Sequence, residues 1–131
     1  MNILLDTHYL LWAFLDTHRI EKRLMDIILA EDNEIFYSQA SIWEISIKYD
    51  LGKLVFEGIS PEDLYREIEN SFLRCRTFTN DELISFYRLP IEHRDPFDRI
   101  LVWQAITSDY FFLSSDGKAD AYTKYGLKIL H

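Results

Sequence analysis

Short apolar segments of strand type alternate with helical segments along the whole chain. The segments with strand character are residues 2–6, 34–38, 74–78, 110–115 and 127–130. Most are separated by stretches in which apolar residues recur at helical spacing and capping residues stand at the start. Because parallel strands need long crossover connections, this alternation predicts an α/β fold, a three-layer sandwich around a central and mostly parallel sheet.

The helical segments have recognisable starts and ends. Ser60-Pro61 and Asp95-Pro96 each place an N-cap residue before a first-turn proline, and Gly52 is a stop signal. Thr7 is expected to cap the first helix. We predict helices over residues 8–15, 21–31, 40–51, 61–73 and 96–108, with a further one from the capping residues 79–82 to about residue 90.

Length and composition are those of one globular domain, residues 1–131. The chain has 131 residues, of which 48% are apolar. It contains neither a long apolar run nor a secretory start, so we expect a cytoplasmic protein without membrane contact. The single cysteine, Cys75, is expected to be a small buried residue, and the four histidines lack zinc-site spacing and are assigned surface or capping roles.

Four acidic residues occupy positions that a parallel sheet would bring together. Asp6 and Asp116 follow the first and fourth strands, Asp98 lies in the first turn of a helix, and Glu44 shares a helix face with apolar residues. The functional crevice of an open parallel sheet lies at the carboxyl ends of its strands. Because converging carboxylates repel one another, we expect a hard cation among them, Mg²⁺ or Mn²⁺. Phosphodiester hydrolysis is the reaction that such a site favours.

Structural roles compete with this interpretation. Asp95 and Asp98 stand at the Ncap and N3 positions, so Asp95 is as readily a simple cap as a ligand. A single glutamate in a helix, such as Glu44, is usually solvated. The net charge of −8 argues against a nonspecific nucleic-acid coat protein but not against a nuclease, since a bound divalent ion reverses the local field. A glycosidase would need only two of these acids.

Several motifs resemble those of one family. Segments 4–8, 41–45, 93–99 and 115–116 read Leu-Leu-Asp-Thr-His, Ser-Ile-Trp-Glu-Ile, His-Arg-Asp-Pro-Phe-Asp-Arg and Ser-Asp. They look like the acidic motifs of PIN-domain ribonucleases of the VapC toxin type, and the resemblance covers essentially the whole chain. It implies a metal-dependent endoribonuclease that acts on RNA as the toxin of a type II toxin–antitoxin module, with an acidic set consisting of Asp6, Glu44, Asp98 and Asp116.

The same resemblance implies partners. These are a second copy of the chain or a higher toxin–antitoxin assembly, and a VapB-like antitoxin that blocks the site and binds operator DNA. Around the last acid many relatives have a threonine and a basic residue, whereas this chain has Ser114-Ser115-Asp116. Ser115 is therefore a further candidate for the site, and Asp95 is another because it is additional to the four acids. Two alternatives stay open, a housekeeping RNA-processing nuclease without an antitoxin and a binding module that keeps the fold without catalysis.

Overall fold

The chain folds into alternating strands and helices. A computed structural model describes residues 1–115 and 117–130. The strands are β1 (Asn2–Leu5), β2 (Glu34–Ser38), β3 (Arg74–Arg76), β4 (Phe111–Leu113) and β5 (Lys128–Leu130). The α-helices are α1 (Thr7–Leu15), α2 (Lys22–Leu29), α3 (Gln39–Asp50), α4 (Pro61–Glu69), α5 (Asn80–Ser85) and α6 (Pro96–Ser108). Segments of 3-10 helix span Thr17–Arg19, Phe86–Arg88 and Gly117–Tyr125.

The five strands form one sheet in the order β3-β2-β1-β4-β5, and every neighbouring pair is parallel. Strand β1 is central, and its Leu4 lies opposite Phe36 of β2 on one side and Phe112 of β4 on the other. Right-handed crossovers through helices connect parallel strands in most proteins, which explains the strict alternation in the sequence. The predicted α/β sandwich with a parallel sheet is confirmed.

Two apolar layers cover the faces of the sheet. Ile3 and Leu5 of β1 are fully buried in the layer that α1, α2 and α4 complete, whereas Leu4 is buried in the layer formed largely by α6. Helix α3 contributes to both layers, through Ile45 on one side and Ala40 on the other. This alternation of side chains along β1 is what a strand covered on both faces requires.

The order of the strands locates a crevice. From β1 the chain moves outward through β2 to β3, and it then returns to the opposite side of β1 to form β4 and β5. The connections therefore diverge at the carboxyl end of β1, where open parallel sheets bind their ligands. The backbone N–H of Asp6 donates to the carbonyl of Leu113 over 3.0 Å, so the ends of β1 and β4 are joined there.

Several local predictions were wrong. The third strand ends at Arg76, and the helix expected to reach about residue 90 changes to 3-10 geometry after Ser85. The first helix is capped by Asp6 and not by Thr7, which lies inside α1. The 3-10 helix over Gly117–Tyr125 follows the expected turn and was not predicted, because it depends on the burial of Tyr122 against the distant α6 layer.

Two further findings concern the surface. Cys75 is exposed, contrary to the expectation of a buried residue, because β3 is an edge strand. Across residues 1–115 and 117–130, the structure contains no helix with the length and apolar character that crossing a membrane requires.

Candidate functional site

The crevice at the carboxyl end of β1 collects acidic residues from three parts of the fold. Asp6 follows β1, Glu44 belongs to α3, and Asp98 lies in the first turn of α6. Asp6 and Asp98 line a single small cavity together with His93. Its volume of about 10 Å³ is close to the space that one water molecule needs. The structure therefore brings together two of the predicted acids around a space for a water-sized group, with Glu44 beside them.

Asp6 is held rigidly by backbone groups. Its side chain is buried, with Oδ1 accepting from the N–H of Tyr9 over 2.8 Å and Oδ2 accepting from the N–H of Ser115 over 2.6 Å. Burial raises the pKa of Asp6, while these two hydrogen bonds oppose that rise. The Asp6 carboxylate therefore caps α1 and also joins the segment after β4 to the end of β1. Its position after a strand predicted that Asp6 lies at the crevice, but it did not predict these two contacts.

Glu44 is buried and bonded through both oxygens. Oε1 accepts from the hydroxyl of Thr7 over 2.6 Å, and that hydroxyl also lies 2.8 Å from Ser41 Oγ. Oε2 accepts from Lys48 Nζ, one helical turn further along α3. The prediction that Glu44 points inward is confirmed, since its exposure is 2%. Lys48 gives Glu44 a basic partner.

Asp98 carries the clearest electrostatic signature of the site. Burial, together with the charges of Asp95, Glu44 and Asp6, raises its pKa to about 6, against the opposing effect of His93. Mutual elevation of carboxyl pKa values is what closely placed acids produce in a partly desolvated crevice. The crevice therefore concentrates negative charge at the start of α6.

His93, which was expected to have a surface or capping role, lines the cavity with Asp6 and Asp98 and is not a surface residue. Its side chain is only 10% exposed, and Nε2 lies 3.3 Å from Asp98 Oδ2. Nδ1 accepts from the N–H of Asp95 over 3.0 Å, whereas Nε2 lies near Asp98 without making a hydrogen bond within the described part of the chain. The available sequence signal was position alone, since His93 stands just before the N-cap of the acidic helix.

A buried tyrosine fixes the loop that carries His93. The hydroxyl of Tyr122 accepts from the backbone N–H groups of Glu92 and His93, each over 3.0 Å. Tyr122 is fully buried in the 3-10 helix that the sequence did not reveal. The position of His93 against Asp98 therefore depends on a residue about thirty positions away in the chain.

The other residues predicted for the site differ in what they contact. Asp95 is the N-cap of α6, since its Oδ1 accepts from the N–H of Phe97 over 2.9 Å. Ser115 donates its N–H to Asp6, and its Oγ lies 3.1 Å from Nδ1 of His8. Asp116, the fourth acid of the predicted set, lies outside the described residues.

The side chains of the site are of the type that binds a hard divalent cation. Its groups are carboxylates, which suit Mg²⁺ or Mn²⁺, and their mutual repulsion at Asp98 is what a cation would relieve. The described part of the chain contains no group of three or more His, Cys, Asp or Glu residues placed to hold a metal ion. Asp6 and Asp98 face the common cavity, whereas both oxygens of Glu44 are occupied by Thr7 and Lys48.

Comparison with known proteins gives one family and one fold. The family model for the PIN domain matches residues 3–125. A search of curated proteins gives no significant match.

Several solved structures share the fold over nearly their whole length. DNA-bound VapBC from Salmonella typhimurium has a chain that aligns with a TM-score of 0.70 at 14% identity, covering 99% of this chain and 97% of that chain. VapBC2 from Rickettsia felis, bound to a DNA fragment from its promoter, gives 0.69 at 17% identity, with 99% and 98% covered. VapBC-1 from nontypeable Haemophilus influenzae gives 0.68 at 14%, with 99% and 97% covered.

The raised pKa of Asp98 predicts that Asp98→Asn stabilises the metal-free protein near neutral pH. The unfolded carboxyl titrates near 3.8 and the folded one near 6, so ionised Asp98 destabilises the fold above pH 6 and the penalty fades as the pH falls toward 4. With solvent screening we expect a gain of about 1–2 kcal/mol at pH 8 that disappears by pH 4.

Thermal and urea unfolding in EDTA between pH 4 and 8 measure this difference. Asp95→Asn is the matched control, because asparagine caps as well as aspartate and removes only a neighbouring charge, so its gain should be smaller. An Asp98→Asn protein that melts below wild type at pH 8 would show that the carboxylate acts mainly in helix capping.

Proposed function

This chain belongs to the PIN-domain family, and from that premise we propose that it is a metal-dependent endoribonuclease, the toxin of a type II toxin–antitoxin module. The observation that carries the proposal is the shared cavity of Asp6 and Asp98 at the carboxyl end of β1, with Glu44 beside it. Four carboxylates from distant segments, Asp6, Glu44, Asp98 and Asp116, would form the acidic set. Three of them belong to the described residues and lie at this end of the sheet.

The residues of the chain divide the work of such a site. Asp6 and Asp98 would hold Mg²⁺ or Mn²⁺ together with Asp116, while Glu44 orders the side of the crevice formed by α3. When bound, the ion polarises the scissile phosphate and lowers the pKa of the attacking water. The backbone N–H groups of Tyr9 and Ser115 hold Asp6 in a single orientation, and His93 Nε2 lies 3.3 Å from Asp98 Oδ2.

The clustering of acidic residues also explains why a polyanionic substrate would need a bound cation in order to enter the crevice. The chain carries a net charge of −8, so the unscreened crevice repels phosphate. A divalent ion between Asp6 and Asp98 reverses the sign of the field at the position of the scissile group. RNA as the substrate follows from the motif resemblance to VapC-type ribonucleases. A housekeeping RNA-processing nuclease and a non-catalytic binding module are the alternatives that the experiments below separate.

An antitoxin partner is the second part of the proposal. The solved structures with this fold include VapBC complexes bound to DNA, and in our proposal a VapB-like protein likewise supplies the operator-DNA contact. An apolar groove of about 530 Å³ lies beside the acidic crevice, lined by residues of α3, α5 and α6 that include Trp43, Leu83 and Phe97. Trp43 is 65% exposed at its edge. An amphipathic helix would fill this groove and direct a basic side chain toward Asp98.

Assembly and location complete the proposal. We propose that the chain works in the cytoplasm as a homodimer or within a larger toxin–antitoxin complex. Exposed apolar side chains such as Ile84 and Tyr87, at 76% and 78% exposure, offer surface for such contacts.

Asp98→Asn tests the catalytic part. The substitution keeps the shape and removes the charge, so Mn²⁺-dependent cleavage of a mixed-sequence RNA should fall by at least about a hundredfold while the fold survives. Asp95→Asn should retain much more activity, because the capping function persists. Cleavage is followed on gels with and without EDTA. Wild-type rates in Asp98→Asn would remove this residue from the site, and no cleavage by wild type under any divalent ion would favour the binding module.

Leu83→Asp tests the antitoxin part. A charge placed in the apolar groove should weaken co-purification with the product of the adjacent small reading frame by at least about tenfold in affinity, because the charge would be desolvated. Leu29→Asp is the matched control, since Leu29 has a similar exposure, 59% against 51%, and lies outside the groove. Equal binding by both variants would place the partner elsewhere, and the absence of such a reading frame would favour the housekeeping nuclease.

A further inference from the structure

The ion pair between Glu44 and Lys48 differs from an ordinary helix-surface pair. The side chains are 3% and 28% exposed, whereas those of the exposed pair Asp26 and Lys22, at the same spacing, are 63% and 89% exposed. A surface pair contributes little, but removing one partner of a buried pair leaves an uncompensated charge in the interior. The charge of Lys48 therefore has a large effect on the stability of the fold.

The position of Lys48 also exposes it to acids outside its own helix. Burial by itself lowers the pKa of Lys48, but the hydrogen bond and charge of Glu44, followed by the charges of Asp95 and Asp98, raise it above the ordinary value. These acids belong to the start of α6, which packs against α3. The ammonium group thus contacts Glu44 and lies close enough to the start of α6 for the charges of Asp95 and Asp98 to act on it.

We propose that Lys48 is a positioning residue that acts as a built-in counter-ion, holding Glu44 and neutralising part of the acidic cluster until a divalent metal ion binds. The metal part of this inference rests on the proposed function. A bound ion would take over the neutralisation of Asp6 and Asp98, and it would be repelled by the nearby ammonium group. Lys48 therefore stabilises the metal-free fold and lowers the affinity of the site for metal.

This role also accounts for the geometry of Glu44. Its Oε1 is held by Thr7 and its Oε2 by Lys48, and Glu44 does not line the cavity that Asp6 and Asp98 share. A purely structural pair would stabilise the protein equally with and without metal. A counter-ion becomes less important when another cation arrives, and this difference is measurable.

Lys48→Met removes the charge and keeps an unbranched side chain. In EDTA and low salt we expect its melting temperature to fall by about 5 °C or more, and saturating Mn²⁺ should make that difference smaller. The Mn²⁺ dissociation constant, measured by calorimetry, should fall about tenfold. Lys48→Arg keeps the charge and should behave like wild type, as should Lys22→Met, which removes a lysine from the exposed pair.

A double-mutant cycle in EDTA tests the charge coupling without any metal. Lys48→Met should lower the melting temperature less in an Asp98→Asn background than in wild type, because part of the charge that Lys48 balances is gone. Equal losses in both backgrounds would overturn the inference and leave an ordinary buried pair, as would equal losses with and without Mn²⁺ when Mn²⁺ itself raises the melting temperature of wild type. If Mn²⁺ shifts neither wild type nor Lys48→Met, the metal part of both proposals is wrong, whereas a non-additive cycle would still support Lys48 as the counter-ion.

Discussion

The burial of strand β1 on both faces is the constraint on which the rest of the structure depends. Its side chains alternate between two apolar layers, and its edges pair with β2 and β4. A strand enclosed in this way has one register and one direction, so the residue that follows it has a defined position. That residue is Asp6, which begins α1 and bonds the segment after β4. The crevice is therefore built outward from the end of the central strand.

Placing several carboxylates at that end destabilises the fold, because they repel one another, and specific hydrogen-bond partners offset this effect. Asp6 is stabilised by two backbone N–H groups, and Glu44 by a hydroxyl and an ammonium group. Asp98 has the weaker arrangement, a histidine nitrogen at 3.3 Å, and its pKa is raised to about 6. The least compensated acid is thus the one that shares the open cavity with Asp6, as expected where function and not stability selects the residue.

Local sequence signals predicted the parts of the fold that depend on neighbours in the chain. The Asp95-Pro96 pair marks the start of α6, and its cap has the expected hydrogen bond to Phe97. Apolar runs identified β1, β2, β4 and β5, whereas β3 has the sequence Arg-Cys-Arg and lies at the edge of the sheet. The 3-10 helix after Gly117 carried no such signal, since its stability comes from Tyr122 packing against a layer that other segments form.

The sequence by itself determined the alternation of strands and helices, the caps of α4 and α6 and the inward direction of Glu44 and Asp98, because these follow from periodicity and local hydrogen bonding. Only the tertiary structure decided which side chains meet. Glu44 bonds to Thr7, and the Tyr122 hydroxyl holds the backbone of His93 beside Asp98. Both hydrogen bonds join segments that are distant in the chain. Lys48 shows the same division, since its spacing from Glu44 is local but the charges at the start of α6 act on it only because α3 and α6 pack against each other.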